Sequence, residues 1–235
     1  MSNRMKPIPS GNLGNECVVI VGGGPAAQMC AETLRQRDDT PWRGRIVMLT
    51  GEETGPYDRT KLSKSLTSTA QDLLLRNSDF YDAADIELKT NSKVVSVDTS
   101  ANQVVTESGE TYGYDFLVLA TGGTPRTIKV KGSDKANNVF SLRSPKDANE
   151  IAIRSEQKNV VIIGSSFIGM EVAAYLSSKA ASVTVVGKSP TPFAGVLGDQ
   201  VGKWVQNLHL SKGRLFFDVW LVYNTVALPA GRACS

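Results

Sequence analysis

The sequence predicts an α/β protein with two parallel crossover units and a small antiparallel β-meander between them, and three observations carry that reading. Residues 17–21 (CVVIV) and 159–163 (NVVII) are near-continuous β-branched runs, the pattern of strands inside a parallel sheet. Each run enters a turn carrying glycine, then a segment with apolar residues at helical spacing, then a second strand. That order implies a right-handed crossover, made twice in one chain. Between the two copies, residues 93–97, 103–106 and 112–119 are short strand-like runs separated by turn compositions at 98–102 and 108–109, which predicts the meander.

In the first unit, three glycines at 22–24 follow the strand, and Pro25 stands where a helix tolerates a missing N–H. Ala27, Cys30, Ala31 and Leu34 recur at i, i+3, i+4 and i+7, giving the helix one small apolar face. Residues 45–50 (RIVMLT) supply the second strand. The meander is expected over 92–120, closing on the apolar strand 116–120, with a Gly/Pro-rich connector after it. The second unit reads as a strand at 159–163, a turn at 164–169, a helix over 170–179 and a strand at 182–186. Val172, Ala173 and Leu176 lie on one face of that helix.

Composition narrows the function classes. Hydrophobic residues are 41% and charged residues 21% of 235, ordinary for a globular protein. A net charge of +3, from 26 basic and 23 acidic side chains well mixed along the chain, is too slight for a nucleic-acid footprint. Cys17, Cys30 and Cys234 form no Cys-x-x-Cys pair, and the single histidine, His209, leaves no zinc cluster. Cys17 and Cys30 read as small buried hydrophobes. Residues 1–15 read as a flexible polar leader rather than a signal peptide. No apolar run reaches the roughly 18 to 20 residues of a membrane span; residues 216–222 come nearest and contain Asp218. Sparse thiols suit a reducing, cytoplasmic setting.

The two turns carry the chemistry. In Gly22-x-Gly24-x-x-Ala27 the first glycine permits the tight turn and the second lets backbone approach a pyrophosphate. The small third residue allows close helix–strand packing. Phosphates then meet the unpaired N–H groups at the positive end of the helix. Glu52, just past the second strand, is placed to accept from a ribose hydroxyl. The second turn, Gly164-Ser-Ser166-x-x-Gly169, has serine at the middle glycine position, adding a side chain where phosphate approaches. After its second strand stand Gly187 and Lys188 rather than a carboxylate. The choice between NADH and NADPH stays open at that point.

Four segments occur in order: 18–27 (VVIVGGGPAA), 56–64 (PYDRTKLSK), 119–123 (LATGG) and 164–171 (GSSFIGME). Together they resemble the apoptosis-inducing-factor-like and ferredoxin-reductase-like flavoproteins, especially the branch that often carries a Rieske domain. The resemblance runs from Glu16 to about Leu208. It implies an FAD/NAD(P)-binding, Rossmann-like three-layer fold, here incomplete. It also implies hydride transfer from NAD(P)H to FAD and on to an unknown acceptor, a small molecule or a protein. By matching positions, Gly22, Gly24, Ala26, Ala27 and Glu52 would hold the ADP half of FAD. Arg59, Lys64, Val94 and Arg143 match further FAD contacts. Gly164, Ser166, Phe167, Ile168 and Gly169 lie in the nicotinamide-cofactor turn. Glu171 matches a carboxylate that pairs with the lysine at position 64, and these two are the catalytic candidates; no metal is implied.

The domain expectation is a leader at 1–15, the first half of an FAD domain at 16–148, a partial NAD(P) unit at 149–209 and a divergent tail at 210–235. Neither Rieske ligands nor an active-site cysteine pair occurs in the sequence. The alternative reading is a non-catalytic product that binds nucleotide weakly or acts through a partner. The family association also offers a mitochondrial location.

Overall fold

The computed structural model describes residues 16–36, 44–128, 130–133 and 135–212, and the backbone of 215–218. The expected leader lies outside the described residues, as does all of the expected tail beyond Asp218. The chain divides into two compact units, Met1–Arg59 with Thr69–Gly123, and Thr60–Ser68 with Thr124–Ser235. Thr60–Ser68 thus belongs with the second unit although it is embedded in the first, a grouping no linear boundary describes.

The first unit contains β1 (Cys17–Val21), α1 (Pro25–Gln36), β2 (Arg45–Leu49), α2 (Ala70–Leu73), α3 (Ser78–Ala83), β3 (Ile86–Lys89), β4 (Val94–Asp98), β5 (Gln103–Thr106), β6 (Thr111–Gly113) and β7 (Phe116–Leu119). Its parallel sheet runs β3-β2-β1-β7 and its meander β4-β5-β6. The β-branched run at 17–21 is buried on both faces, which explains why it does not alternate. Val18 and Ile20 pack with Ala27 and Ala31 of α1 on one side. Val19 and Val21 pack with Val104, Tyr112 and Tyr114 of the meander region on the other. Helices, sheet and meander make the three layers. Each fully buried Val or Ile contributes about 1.5–3 kcal/mol of transfer free energy.

The expected closing strand of the meander is corrected here. The meander ends at Gly113, and Phe116–Leu119 instead pairs in parallel with β1, Val18 opposite Phe116 and Val21 opposite Leu119. An all-apolar run fits a parallel strand better than an alternating meander strand. Cys17 and Cys30 are only partly buried, and burial raises both thiols above their ordinary value.

The second unit contains α4 (Pro145–Ser155), β8 (Asn159–Ile163), α5 (Phe167–Leu176), β9 (Ser182–Gly187), α6 (Ala194–Leu210) and β10 (Leu215–Asp218). Its parallel sheet runs β10-β9-β8. The helix expected over 170–179 starts at Phe167, because Ser166 already accepts an α-helical bond from Met170 N at 3.0 Å. It stops at Leu176, where Ser177 N closes on Ala173 O. Helix α6 and β10 both enter the stretch read as a divergent tail from 210, and β10 pairs in parallel with β9 from Leu215 opposite Thr184. Proline at the start and a Ser144–Asp147 capping box fix α4. One sheet face packs under Met170, Ala173 and Leu176 of α5. On β8, Val161 and Ile163 are 62% and 60% exposed, unlike their counterparts Val19 and Val21.

Candidate functional site

The internal repeat holds at the level of single hydrogen bonds. Gly22 N donates to Leu49 O at 2.9 Å, and Gly164 N donates to Val186 O at 2.8 Å. Gln28 N reaches Gly24 O at 3.1 Å, and Met170 N reaches Ser166 O at 3.0 Å. Gly22 and Gly164 sit at φ +140° and +120°, a region that excludes ordinary side chains. A Cβ on Gly22 would stand 2.1 Å from Ala120 O, whereas one on Gly24 would meet nothing within 4 Å. The middle position of the first turn is therefore open, the condition a phosphate needs. Ala27 is fully buried beneath it.

The second turn reaches the same shape with different side chains. A Cβ on Gly169 would lie 1.9 Å from Gly164 O, so glycine there is enforced by backbone. In the first unit, Gly23 leaves room for Thr50, whose Oγ1 would be 2.1 Å from an added Cβ. In the second, the sizes are exchanged: Ser165 Oγ would be 2.3 Å from a Cβ on Gly187. The absence of a side chain at Gly187 thus has a steric cause. Ser166 makes no side-chain cap to α5, and Phe167 and Ile168 are 49% and 60% exposed.

Around the first turn, three further candidates converge. Glu52 accepts from Tyr57 Oη at 2.7 Å and from Arg59 Nη2 at 2.6 Å. Arg59 also donates to Tyr57 Oη and stacks 4.5 Å from its ring centroid. Tyr57 itself is 1% exposed. The segment leading to Val94 is stitched to the Glu52 loop by Asn91 N to Glu52 O (2.9 Å) and Ser92 N to Thr50 O (2.7 Å). Tyr57 was not singled out from sequence, where it reads as one more aromatic in a turn; a buried hydroxyl between an acid and a base three-dimensionally is not a periodic signal.

In the second unit, Lys64 and Glu171 meet as expected from the resemblance. Lys64 Nζ donates to Glu171 Oε2 at 2.9 Å across 107 residues, and to Thr60 O at 3.0 Å. Ser63 Oγ donates to the same Glu171 oxygen, a partner missed in the sequence because an internal serine has no spacing signature. Burial alone pushes the Glu171 carboxyl up, but the hydrogen bonds from Ser63 and Lys64 outweigh it and hold the group below its ordinary value. Arg143 stands ahead of α4, its backbone N–H donating to Asp147 Oδ2 at 3.0 Å.

Two glycine turns ending parallel strands, each opening a helix, define a two-unit protein of the doubly wound α/β class. The model for the pyridine nucleotide-disulphide oxidoreductases matches residues 16–214, and the chain belongs to that family. It is 44% identical over 194 residues to apoptosis-inducing factor 3 of Mus musculus, covering 83% of this chain and 31% of that protein. It is 36% identical over 184 residues to the rubredoxin-NAD(+) reductase of Pseudomonas putida, covering 77% and 47%. The solved ferredoxin reductase for the CYP199A2 system from Rhodopseudomonas palustris superposes with a TM-score of 0.79 at 31% identity, over 87% of this chain and 50% of that one. The reductase of the covalent putidaredoxin reductase–putidaredoxin complex gives 0.77 at 33%, over 87% and 50%. The chain therefore spans half or less of these relatives. Cys17 and Cys30 are free thiols. No helix among the described residues is long and apolar enough to cross a membrane.

Proposed function

We propose that the chain is the nucleotide-binding part of an FAD-dependent NAD(P)H oxidoreductase, with FAD at the first turn and NAD(P)H at the second. The observation that carries this is the Lys64–Glu171 pair, two residues 107 apart in sequence that the fold brings to 2.9 Å. The first turn fits a pyrophosphate: Gly24 borders open space, and the leading N–H groups of α1 have no intrahelical partner. Glu52 spends one oxygen on Tyr57 and one on Arg59, and a carboxylate has lone pairs left for ribose hydroxyls. Gly22, Ala26 and Ala27 complete that turn, while Arg59, Val94 and Arg143 serve the rest of FAD. Gly164, Ser166, Phe167, Ile168 and Gly169 form the turn that would receive NAD(P)H, and the Ser166 hydroxyl, which makes no cap to α5, would be a donor for its phosphates.

The bound flavin supplies the hydride-accepting chemistry, and the protein positions and tunes it. With flavin bound, the Lys64 ammonium would supply positive charge that favours the reduced ring, and Glu171 would orient that ammonium. The relatives include reductases named for rubredoxin and terpredoxin, which supports a protein acceptor of the rubredoxin or ferredoxin type. The sparse cysteines, with Cys17 and Cys30 free among the described residues, support a cytoplasmic setting. At saturating FAD, anaerobic NADH is expected to bleach the flavin. Lys64→Ala is expected to slow that reduction about 10- to 100-fold while thermal unfolding stays within the ~1 kcal/mol that an exposed ion pair is worth. Stopped-flow traces identical to the parent's would rule out the role given to Lys64, and a parent flavin untouched by NADH would rule out the proposed function.

A further inference from the structure

We infer that Ser63 is a positioning residue for the Lys64–Glu171 pair: its buried hydroxyl fixes the Glu171 oxygen on which the Lys64 ammonium is held. The inference rests on the oxidoreductase reading for its consequence in catalysis, though not for its geometry. Ser63 is 4% exposed. Its Oγ contacts Glu171 Oε2, the same atom that Lys64 Nζ approaches at 2.9 Å. Thr60 O is a second neighbour of both donors, 3.0 Å from Lys64 Nζ and 3.3 Å from Ser63 Oγ. A hydroxyl has one proton to give. The ionised carboxylate is the stronger and nearer acceptor, so that proton goes to Glu171.

Two donors on one oxygen have a directional effect. They set the rotation of the carboxylate, and with Thr60 O they leave the ammonium two fixed acceptors instead of a mobile one. Burial opposes ionisation of Glu171, and Ser63 and Lys64 together offset it. Lys64, on the segment facing α5, is the charged group whose field acts on Glu171. Because the carboxyl is held below its ordinary value, the pair is intact at neutral pH and is lost as pH falls through the folded-state value. Removing the serine donor leaves the burial penalty in place, so that loss moves to higher pH.

The blander reading is that Ser63 merely fills its turn. The anchors of Thr60–Ser68 separate the two. Asn149 Nδ2 donates to Leu66 O at 2.8 Å and to Ser68 O at 3.1 Å. Thr67 Oγ1 lies 3.4 Å from Tyr175 Oη, and Leu62 and Leu66 are buried at 2% and 0% exposure. None of these depends on the Ser63 hydroxyl, so Ser63→Ala deletes the donor without releasing the segment.

The test titrates the Glu171 carboxyl by carbon-detected NMR in the nucleotide-free chain, for the parent, Ser63→Ala and Ser63→Thr. The Ala variant is expected to titrate at higher pH, and Thr, which keeps the hydroxyl, to return toward the parent. In the FAD-saturated chain, Ser63→Ala is expected to be reduced by NADH about tenfold more slowly, with the deficit widening as pH falls. A Glu171 midpoint in the Ala variant equal to the parent's overturns the inference, even if stability drops. Should Ser63→Ala fail to fold, Ser63→Cys keeps the size with a weaker donor, and an unmoved midpoint there overturns it equally. A parent chain whose flavin NADH does not reduce would sink the oxidoreductase reading alone, since the titration needs no nucleotide.

Discussion

Gly169→Val is expected to destabilise the second unit by about 3–5 kcal/mol, the range of severe overpacking and backbone displacement combined. The added Cβ would fall 1.9 Å from Gly164 O and 3.0 Å from Gly164 C, and backbone atoms cannot swing aside as a side-chain tip can. Moving Gly164 would break its 2.8 Å bond to Val186 O, which joins the turn to β9. Helix α5 would have to lift from β8, carrying Glu171 away from Lys64. The first unit is the internal comparison: there Ala27 occupies the equivalent position fully buried, so one methyl is accommodated where the turn packs more loosely. Urea unfolding of Gly169→Val checks this, and a midpoint equal to the parent's would mean that the two turns tolerate the same residues.

Gly24→Val is expected to do the opposite, sparing the fold and removing the ligand. A Cβ there meets nothing within 4 Å, so folding has no steric reason to suffer. A pyrophosphate approaching the α1 N-terminus would need that same space. FAD binding should weaken by about 100-fold or more, since both the close approach and its hydrogen bonds are lost. Equilibrium dialysis against FAD with a parallel thermal scan reads both quantities. Undiminished FAD binding in a folded Gly24→Val chain would remove the first turn from the proposed site.

The parts of this fold that repeat or alternate were legible from sequence. The runs at 17–21 and 159–163, the glycine turns and the Lys64–Glu171 pairing reflect patterns that neighbouring residues or the family resemblance carry. The role of residues 116–119 was harder, because an apolar strand after a meander reads as its last member until its partner is known, and that partner is β1. Residues 60–68 joined the second unit through Asn149 and Glu171, contacts about 80 to 107 residues away in sequence that no local period reveals. Ser63 was missed for the same reason, its hydroxyl meeting a carboxylate 108 residues away; Tyr57, only five residues from Glu52, was missed because a single buried hydroxyl leaves no periodic signal. The Ser165–Gly187 exchange against Gly23–Thr50 likewise becomes visible only when the two units are laid over one another atom by atom.

The central claim is a division of labour between two copies of one turn, and amide chemical-shift mapping tests it most directly. FAD added to the labelled chain is expected to shift the backbone amides of Gly22, Gly24, Ala26 and Ala27, together with Glu52. NADH is expected to shift those of Gly164, Ser166, Phe167, Ile168 and Gly169, leaving the first set largely in place. The measurement needs no turnover and reads each turn separately. Both nucleotides perturbing the same turn, or FAD perturbing only the second, would contradict the account.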